Sequence, residues 1–286
     1  MKIIGLACKT AEIRGVVCNI SGTILNTARL AANIKNGKLK YISKVQSLIN
    51  ILAQCHCCIN SVGVVFIGNV DAKSGLVLSA PDEMKKYVGT DLFAVAGAVT
   101  DANVVVENEA RASLIGEHWL GAAKNYKNVV MLTLDNYIDT AIMVDGQMCV
   151  SKQDFSKMQV TDENGEVRAL NDYISAKAMS QKMEKALGRN ACREEYLEEF
   201  LSGNKNIYNT LLDFSKYLTK AICKIKDTYN PEAIIIGGEF SEWYPNFIPF
   251  VTEQMEKHKI NVAVEKAKFG PDSACIGAVY LCRENT

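Results

Sequence analysis

The pair Asn108-Glu109 stands where a short apolar run (103–106) meets a helical stretch (108–119). A carboxylate held at such a junction can take a proton from a hydroxyl group within hydrogen-bond reach. Asn108 is also a favourable helix N-cap. The turn Lys9-Thr10-Ala11-Glu12 follows a buried opening strand, a place where nucleotide-binding proteins put glycines and an acidic residue; here it offers a lysine and no glycine. The connection "TLDNYIDTAIMVDG" (133–146) carries Asp135, Asn136, Tyr137, Asp139 and Thr140, and its carboxylates oppose any polyanion. Gly237-Gly238 end the run "AIIIGG" and allow a tight turn from strand to helix. "QCHCC" (54–58) sets soft metal ligands side by side, but adjacent helical positions point in different directions and no second pair lies at metal-binding spacing. Cys55 to Cys58 are therefore read as packing residues. So are Cys8, Cys18, Cys149, Cys192, Cys223, Cys275 and Cys282, as small hydrophobes, and His118-Trp119.

The elements that must position these residues follow from hydrophobic periodicity. Strands are expected at 3–8, 13–19, 23–27, 62–67, 103–106, 128–134, 141–144 and 233–236, with a Gly-turn hairpin over 71–78. Helices are expected at 39–54, 108–119, 171–187, 193–201 and 205–226, from 242, and from about 273. A meander followed by helices occurs in both halves, which predicts an α/β protein of two similar lobes. The expected domains are 1–117, completed by the closing helix 273–286, and a larger lobe over 118–272.

Length and charge narrow the classes. A chain of 286 residues exceeds the size at which single cores stop growing. Lys+Arg and Asp+Glu are both 32, so no basic excess points to nucleic acid. No apolar stretch approaches the ~20 residues of a membrane span. The opening strand begins by residue 3, which leaves no room for a signal peptide and predicts a cytoplasmic protein with reduced thiols.

Four stretches carry a family resemblance: "NVDAKSGLVLSAP" (69–81), "VVVENEARASLIGEHWLGAAKNYKNVVMLTL" (104–134), "NPEAIIIGGEFS" (230–241) and "FGPDSACIGAVYL" (269–281). Together they resemble the ROK family of sugar kinases and transcriptional repressors, in family order and at family spacing. The resemblance implies the two-lobed actin-like ATPase (ribonuclease H-like) fold, with mixed sheets flanked by helices, and a dimer through the second lobe, where Trp243 and Tyr244 offer apolar surface.

The resemblance also assigns the site residue by residue. The family's opening hairpin has an aspartate that helps hold the metal of Mg-ATP and a Gly-Gly-Thr turn for the phosphates; here these positions are Ala7 and Lys9-Thr10-Ala11. The family's second phosphate loop corresponds to the segment with Asp135 and Asn136. A like-charge pair at ~4 Å costs about 4 kcal/mol at an effective dielectric of 20, so each carboxylate would weaken ATP about a thousandfold. Glu109 stands for the catalytic aspartate, one methylene longer, and a shift of ~1 Å can cost about a hundredfold. Asp154, Lys157 and Asn171 stand for sugar contacts, and Asn108 and Asp82 join them as candidate substrate contacts. Asp162, Asn164 and Ala169 replace the zinc cysteines, and Lys157 the zinc histidine, so no structural zinc is expected. Gly237 and Gly238 keep the adenine-side turn, with Glu239 third.

Expectation therefore centres on a sugar kinase-like protein impaired in catalysis, binding a sugar or other small ligand in a regulatory role. No cofactor is expected on this reading. An active ATP-dependent hexose or amino-sugar kinase, with Glu109 as base, Lys9 at the phosphates and Mg-ATP as cosubstrate, is the rival. A regulator that lacks its own DNA-binding arm is the third class.

Overall fold

The computed structural model describes residues 1–54, 58–150, 153–162 and 164–285. Its first elements are β1 (Lys2–Cys8), β2 (Glu12–Asn19), β3 (Ile24–Ala31), α1 (Lys38–Gln54), β4 (Ser61–Phe66), β5 (Asn69–Val70) and β6 (Val77–Ser79). Then come α2 (Leu92–Gly97), β7 (Asn103–Asn108), α3 (Glu109–Leu120), β8 (Val129–Leu134), β9 (Ile138–Val144) and β10 (Gln147–Cys149). The chain continues through β11 (Gln159–Thr161), β12 (Val167–Ala169), α4 (Asn171–Ile174), α5 (Ala176–Leu187), α6 (Arg193–Leu201) and α7 (Lys205–Tyr229). It ends with β13 (Ala233–Gly237), α8 (Tyr244–Lys257), β14 (Ala263–Lys266) and α9 (Ser273–Glu284).

Two compact units emerge, residues 1–126 with 267–286, and residues 127–266. The first unit is built on the sheet β3-β2-β1-β4-β7, in which β1, β2 and β3 form an antiparallel meander and β4 and β7 run parallel to β1. β1 and β4 are nearly continuous apolar runs and lie at the centre, covered on both faces. β3 alternates between exposed and half-buried positions and forms an edge. On one face α9 crosses α3 so closely that a Cβ on Gly277 would sit 1.7 Å from the Ala112 carbonyl oxygen. Glu117, fully buried in α3, ties the ends of this unit together. Its carboxylate accepts from the Ala122, Lys268 and Phe269 amides (2.8, 2.9 and 2.9 Å) and from Ser273 Oγ (2.7 Å). These bonds place residues 118–126 and 267–272 with the first unit.

The second unit repeats the plan with the sheet β10-β9-β8-β13-β14. Its core gathers Leu132, Ile234, Phe214, Phe240 and Phe247. The structure departs from the periodicity reading in four places here. β9 starts at Ile138, not at 141, because it pairs with β8 back to Leu134. The helix expected over 171–187 breaks at Ser175, whose hydroxyl accepts from the Ala178 amide (3.2 Å) and opens a new helix. The hairpin β11–β12 and the four-residue edge strand β14 were too short and too polar to show a period. Trp243 is buried in the core, and the Tyr244 hydroxyl donates to the Val264 carbonyl (2.6 Å), so neither supplies an open apolar surface. Cys55, His56 and Cys57 of the cysteine cluster lie outside the described residues; Cys58 is exposed.

Candidate functional site

In the first unit the hairpin between β1 and β2 closes at Lys9, whose amide donates to the Glu12 carbonyl (3.1 Å). Tyr41 of α1 holds the turn from behind, its hydroxyl donating to the Lys9 carbonyl (3.0 Å). Arg14 fixes the side of the hairpin, bonding Glu12 and, at 3.0 Å, Asp272. With its backbone so held, the Lys9 side chain cannot sweep through solvent. It is buried, and its ammonium lies 3.0 Å from Glu109 Oε1, with the two side chains only 5% and 3% exposed. Thr10 is buried beside it.

Glu109 reaches this position because β7 passes directly into α3 at Asn108. The Asn108 side chain caps the helix by accepting from the Arg111 amide (2.9 Å), and its Nδ2 donates to the Gly68 carbonyl (2.5 Å). Its neighbour Glu107 accepts from the Asn108 amide (2.8 Å) and from Arg111 Nε (3.2 Å). Ser113 Oγ stands 3.5 Å from the same Glu109 oxygen that Lys9 holds. The structure thus brings Lys9, Asn108 and Glu109 together in one unit. Asp82 is 83% exposed and pairs with Lys85 on its own turn (2.6 Å).

In the second unit the bend between β8 and β9 contains Asp135 and Asn136. Asp135 is buried, and its Oδ1 accepts from the Glu239 amide (3.0 Å), while its carbonyl accepts from the Ala176 amide at the start of α5 (2.8 Å). Gly238, at φ +80°, allows that approach: a Cβ there would sit 2.7 Å from the Leu134 nitrogen. Asn171 Oδ1 accepts from the Ile138 amide (3.0 Å), and Asp139 Oδ1 from the Thr140 amide (2.7 Å). Two backbone donors of this stretch, the Ile138 and Thr140 amides, are therefore engaged by the unit's own side chains. Lys177 Nζ stands 5.9 Å from the Tyr137 ring centroid.

Asp154 and Lys157 form an exposed ion pair on one turn (2.9 Å). Partial burial opposes ionisation of Asp154, but the bonds from Lys157 and Ser156 outweigh it and hold its carboxyl below the ordinary range. Asp162, Asn164 and Ala169, which the resemblance aligns with zinc ligands, lie in the hairpin β11–β12 and its turn. Asp162 Oδ1 accepts from the Asn164 and Glu166 amides (2.9 and 2.8 Å). Lys220 braces the hairpin by donating to the Thr161 carbonyl (3.0 Å) and lies over the ring of Tyr217, which stacks on Tyr173 (centroids 3.9 Å apart). Among the described residues no group of three or more His, Cys, Asp or Glu side chains is arranged to hold a metal.

A family model for the ROK family matches residues 3–285. The chain belongs to the ROK family. It is similar to a beta-glucoside kinase from Klebsiella pneumoniae, with 23% identity over 95% of this chain and 92% of that one. It is also similar to the xylose repressor of Bacillus spizizenii, 22% identical over 85% of this chain but only 65% of the repressor. In fold it matches a ROK family glucokinase from Streptomyces griseus solved with glucose and AMPPNP, with TM-score 0.87, 18% identity, and coverage of 99% of this chain and all of that one. The fold is the actin-like ATPase fold expected from the sequence.

Three features of this ROK chain escaped the sequence reading. Glu117 lies within the stretch 104–134 beside His118 and Trp119, and no local signal marks its buried carboxylate. Asn171 was assigned toward a ligand, yet its carbonyl oxygen serves the Ile138 amide. Lys9 and Glu109 were each read alone, 100 residues apart in sequence, with no local signal that they meet.

Proposed function

We propose that this ROK protein binds a sugar or sugar-like small ligand without steady phosphoryl transfer, in a regulatory role in the cytoplasm. The observation that carries this reading is the buried Lys9–Glu109 pair. A general base must offer a free carboxylate oxygen to the hydroxyl it deprotonates. Here Oε1 is held by an ammonium that also neutralises the charge. The same lysine fills a turn where close backbone approach to phosphate needs small residues. In the second unit the bend 135–140 holds two carboxylates, Asp135 and Asp139, and its Ile138 and Thr140 amides are already bonded to side chains. These residues do not fit a nucleoside triphosphate with its metal, and catalysis by positioning and charge neutralisation has little left to work with. Support for a sugar ligand comes from the ROK family and from relatives such as the beta-glucoside kinase.

Calorimetry with Mg-ATP, then with hexoses and amino sugars, tests both halves: heat with a sugar and none with Mg-ATP is the expected result. Sustained phosphorylation of a common sugar that Glu109→Ala abolishes would overturn it. The rival, an active kinase, draws on the carboxylate retained at Glu109 and the cation beside it, and requires Mg-ATP binding at sub-millimolar concentration. A repressor role would rest on the xylose repressor likeness alone, and a DNA mobility shift at moderate salt decides it.

A further inference from the structure

We propose that the start of α1 docks the first unit on an anionic lipid bilayer, with Leu39 entering the headgroup layer and the lysines around it meeting the lipid charges. The chain is neutral overall, but its charge is unevenly spread. Residues 13–70 contain no Asp or Glu, and Lys35, Lys38, Lys40 and Lys44 fall within them. These four lie on the short helical turn Ile34–Asn36 and on the first two turns of α1. Lys40 and Lys44 are one turn apart and share a face of the helix.

Two more lysines come from the turn Asp82–Tyr87. Lys86 Nζ donates to the Ile34 carbonyl (2.5 Å), which brings Lys85 and Lys86 to the segment that carries Lys35. Lys44 Nζ likewise donates to the Ala31 carbonyl (2.5 Å). Both ammonium groups are thus bonded to uncharged oxygens. The carboxylates on these elements are Asp82, 2.6 Å from Lys85 Nζ, and Glu83. On the neighbouring elements Glu12 is bonded to Arg14, and Asp91 caps α2. Six lysines therefore stand against two carboxylates.

Leu39 decides what this cluster meets. It sits between Lys38 and Lys40 and is 82% exposed, whereas Tyr41, two residues on, is buried. An exposed apolar residue flanked by lysines suits a bilayer interface, where the side chain enters the acyl boundary and the lysine stems reach up to the headgroups. A nucleic-acid duplex offers Leu39 no apolar layer. None of the six cations is arginine, the side chain whose planar fork fits a phosphate bidentately. Arg29 of β3 is turned to the other face of the sheet: its register partner is Arg14, which reaches Asp272, while the next residue, Gly15, faces Leu48 and Leu52 of α1. Clusters of about four to eight basic residues are what a negatively charged leaflet attracts.

Co-sedimentation of the full chain with vesicles tests the proposal, using phosphatidylcholine alone and phosphatidylcholine mixed equally with phosphatidylglycerol. The protein should sediment with the mixed vesicles, stay in solution with the neutral ones, and bind less tightly as salt rises. Lys35→Ala/Lys40→Ala should weaken binding about 25-fold, roughly fivefold for each lysine. Leu39→Ser should weaken it at every salt concentration. Both variants should melt with the wild type, since all three positions are exposed. Equal sedimentation with both vesicles, none with either, or a lysine or Leu39 variant that binds like the wild type would overturn the proposal. So would displacement from the vesicles by soluble glycerol phosphate at constant ionic strength, which would make the ligand a free phosphate. Tighter binding to duplex DNA than to the mixed vesicles, unchanged by Leu39→Ser, would overturn it in favour of nucleic acid.

Discussion

Replacing Lys9 by methionine keeps the side chain's length and removes its charge. The Lys9–Glu109 contact is 3.0 Å long between side chains no more than 5% exposed. At that distance the Coulomb attraction is about 5 kcal/mol at an effective dielectric of 20, and desolvation of both groups offsets much of it. The net worth of the pair is therefore small, but the cost of breaking it from one side is not. Glu109 would be left as an uncompensated buried carboxylate, a loss of about 3–5 kcal/mol. For a unit of this size that is a fall in melting temperature of roughly 10 °C. The double variant Lys9→Met/Glu109→Leu removes both charges and should return to within about 1–2 kcal/mol of wild type. Thermal melts followed by circular dichroism, run as a double-mutant cycle, measure this directly. A Lys9→Met protein that melts with the wild type, or a cycle in which the two changes simply add, would show that the two groups are not an energetic pair. The account of a neutralised base position would then fail.

Three further outcomes follow from the same structure. Gly277→Ala forces a methyl into the Ala112 carbonyl, 1.7 Å away, and should cost about 3 kcal/mol or more in a denaturant titration. Glu232 accepts from the Asn128 and Lys127 amides, which hold its carboxyl below its ordinary value. Its contribution is present above pH of about 4.3 and lost as pH falls through the lower folded value, so Glu232→Gln should melt earlier at pH 7 and converge with wild type in acid. Burial pushes the Cys8, Cys18 and Cys282 thiols up to about 12 and raises Cys275 as well. A thiol reagent followed by mass spectrometry should therefore modify exposed Cys58 and Cys192 in the native protein and spare these four until it unfolds.

Much of the architecture was legible beforehand because it is written in local patterns. β1 and β4 are short unbroken apolar runs, and α7 and α8 each carry an apolar stripe at helical spacing. The interruption at Ser175 was not legible, since the apolar period continues through a residue whose hydroxyl starts a new helix. Nor was the hairpin β11–β12, which is held by the Asp162 carboxylate and Lys220 more than by any pattern of its own.

The candidate site divides in the same way. Residue types alone determined that the turn after β1 reads Lys9-Thr10-Ala11 without glycine, that glutamate follows Asn108, and that 154–171 contains neither cysteine nor histidine, because these are statements about single positions. Only the tertiary structure decided what these residues meet. The parallel register of β1, β4 and β7 carries the Lys9 turn and the start of α3 to the same end of one sheet. There the Lys9 ammonium pairs with the buried Glu109 carboxylate. That pairing rests on burial and distance between residues remote in sequence, and neither quantity exists until the sheet has formed.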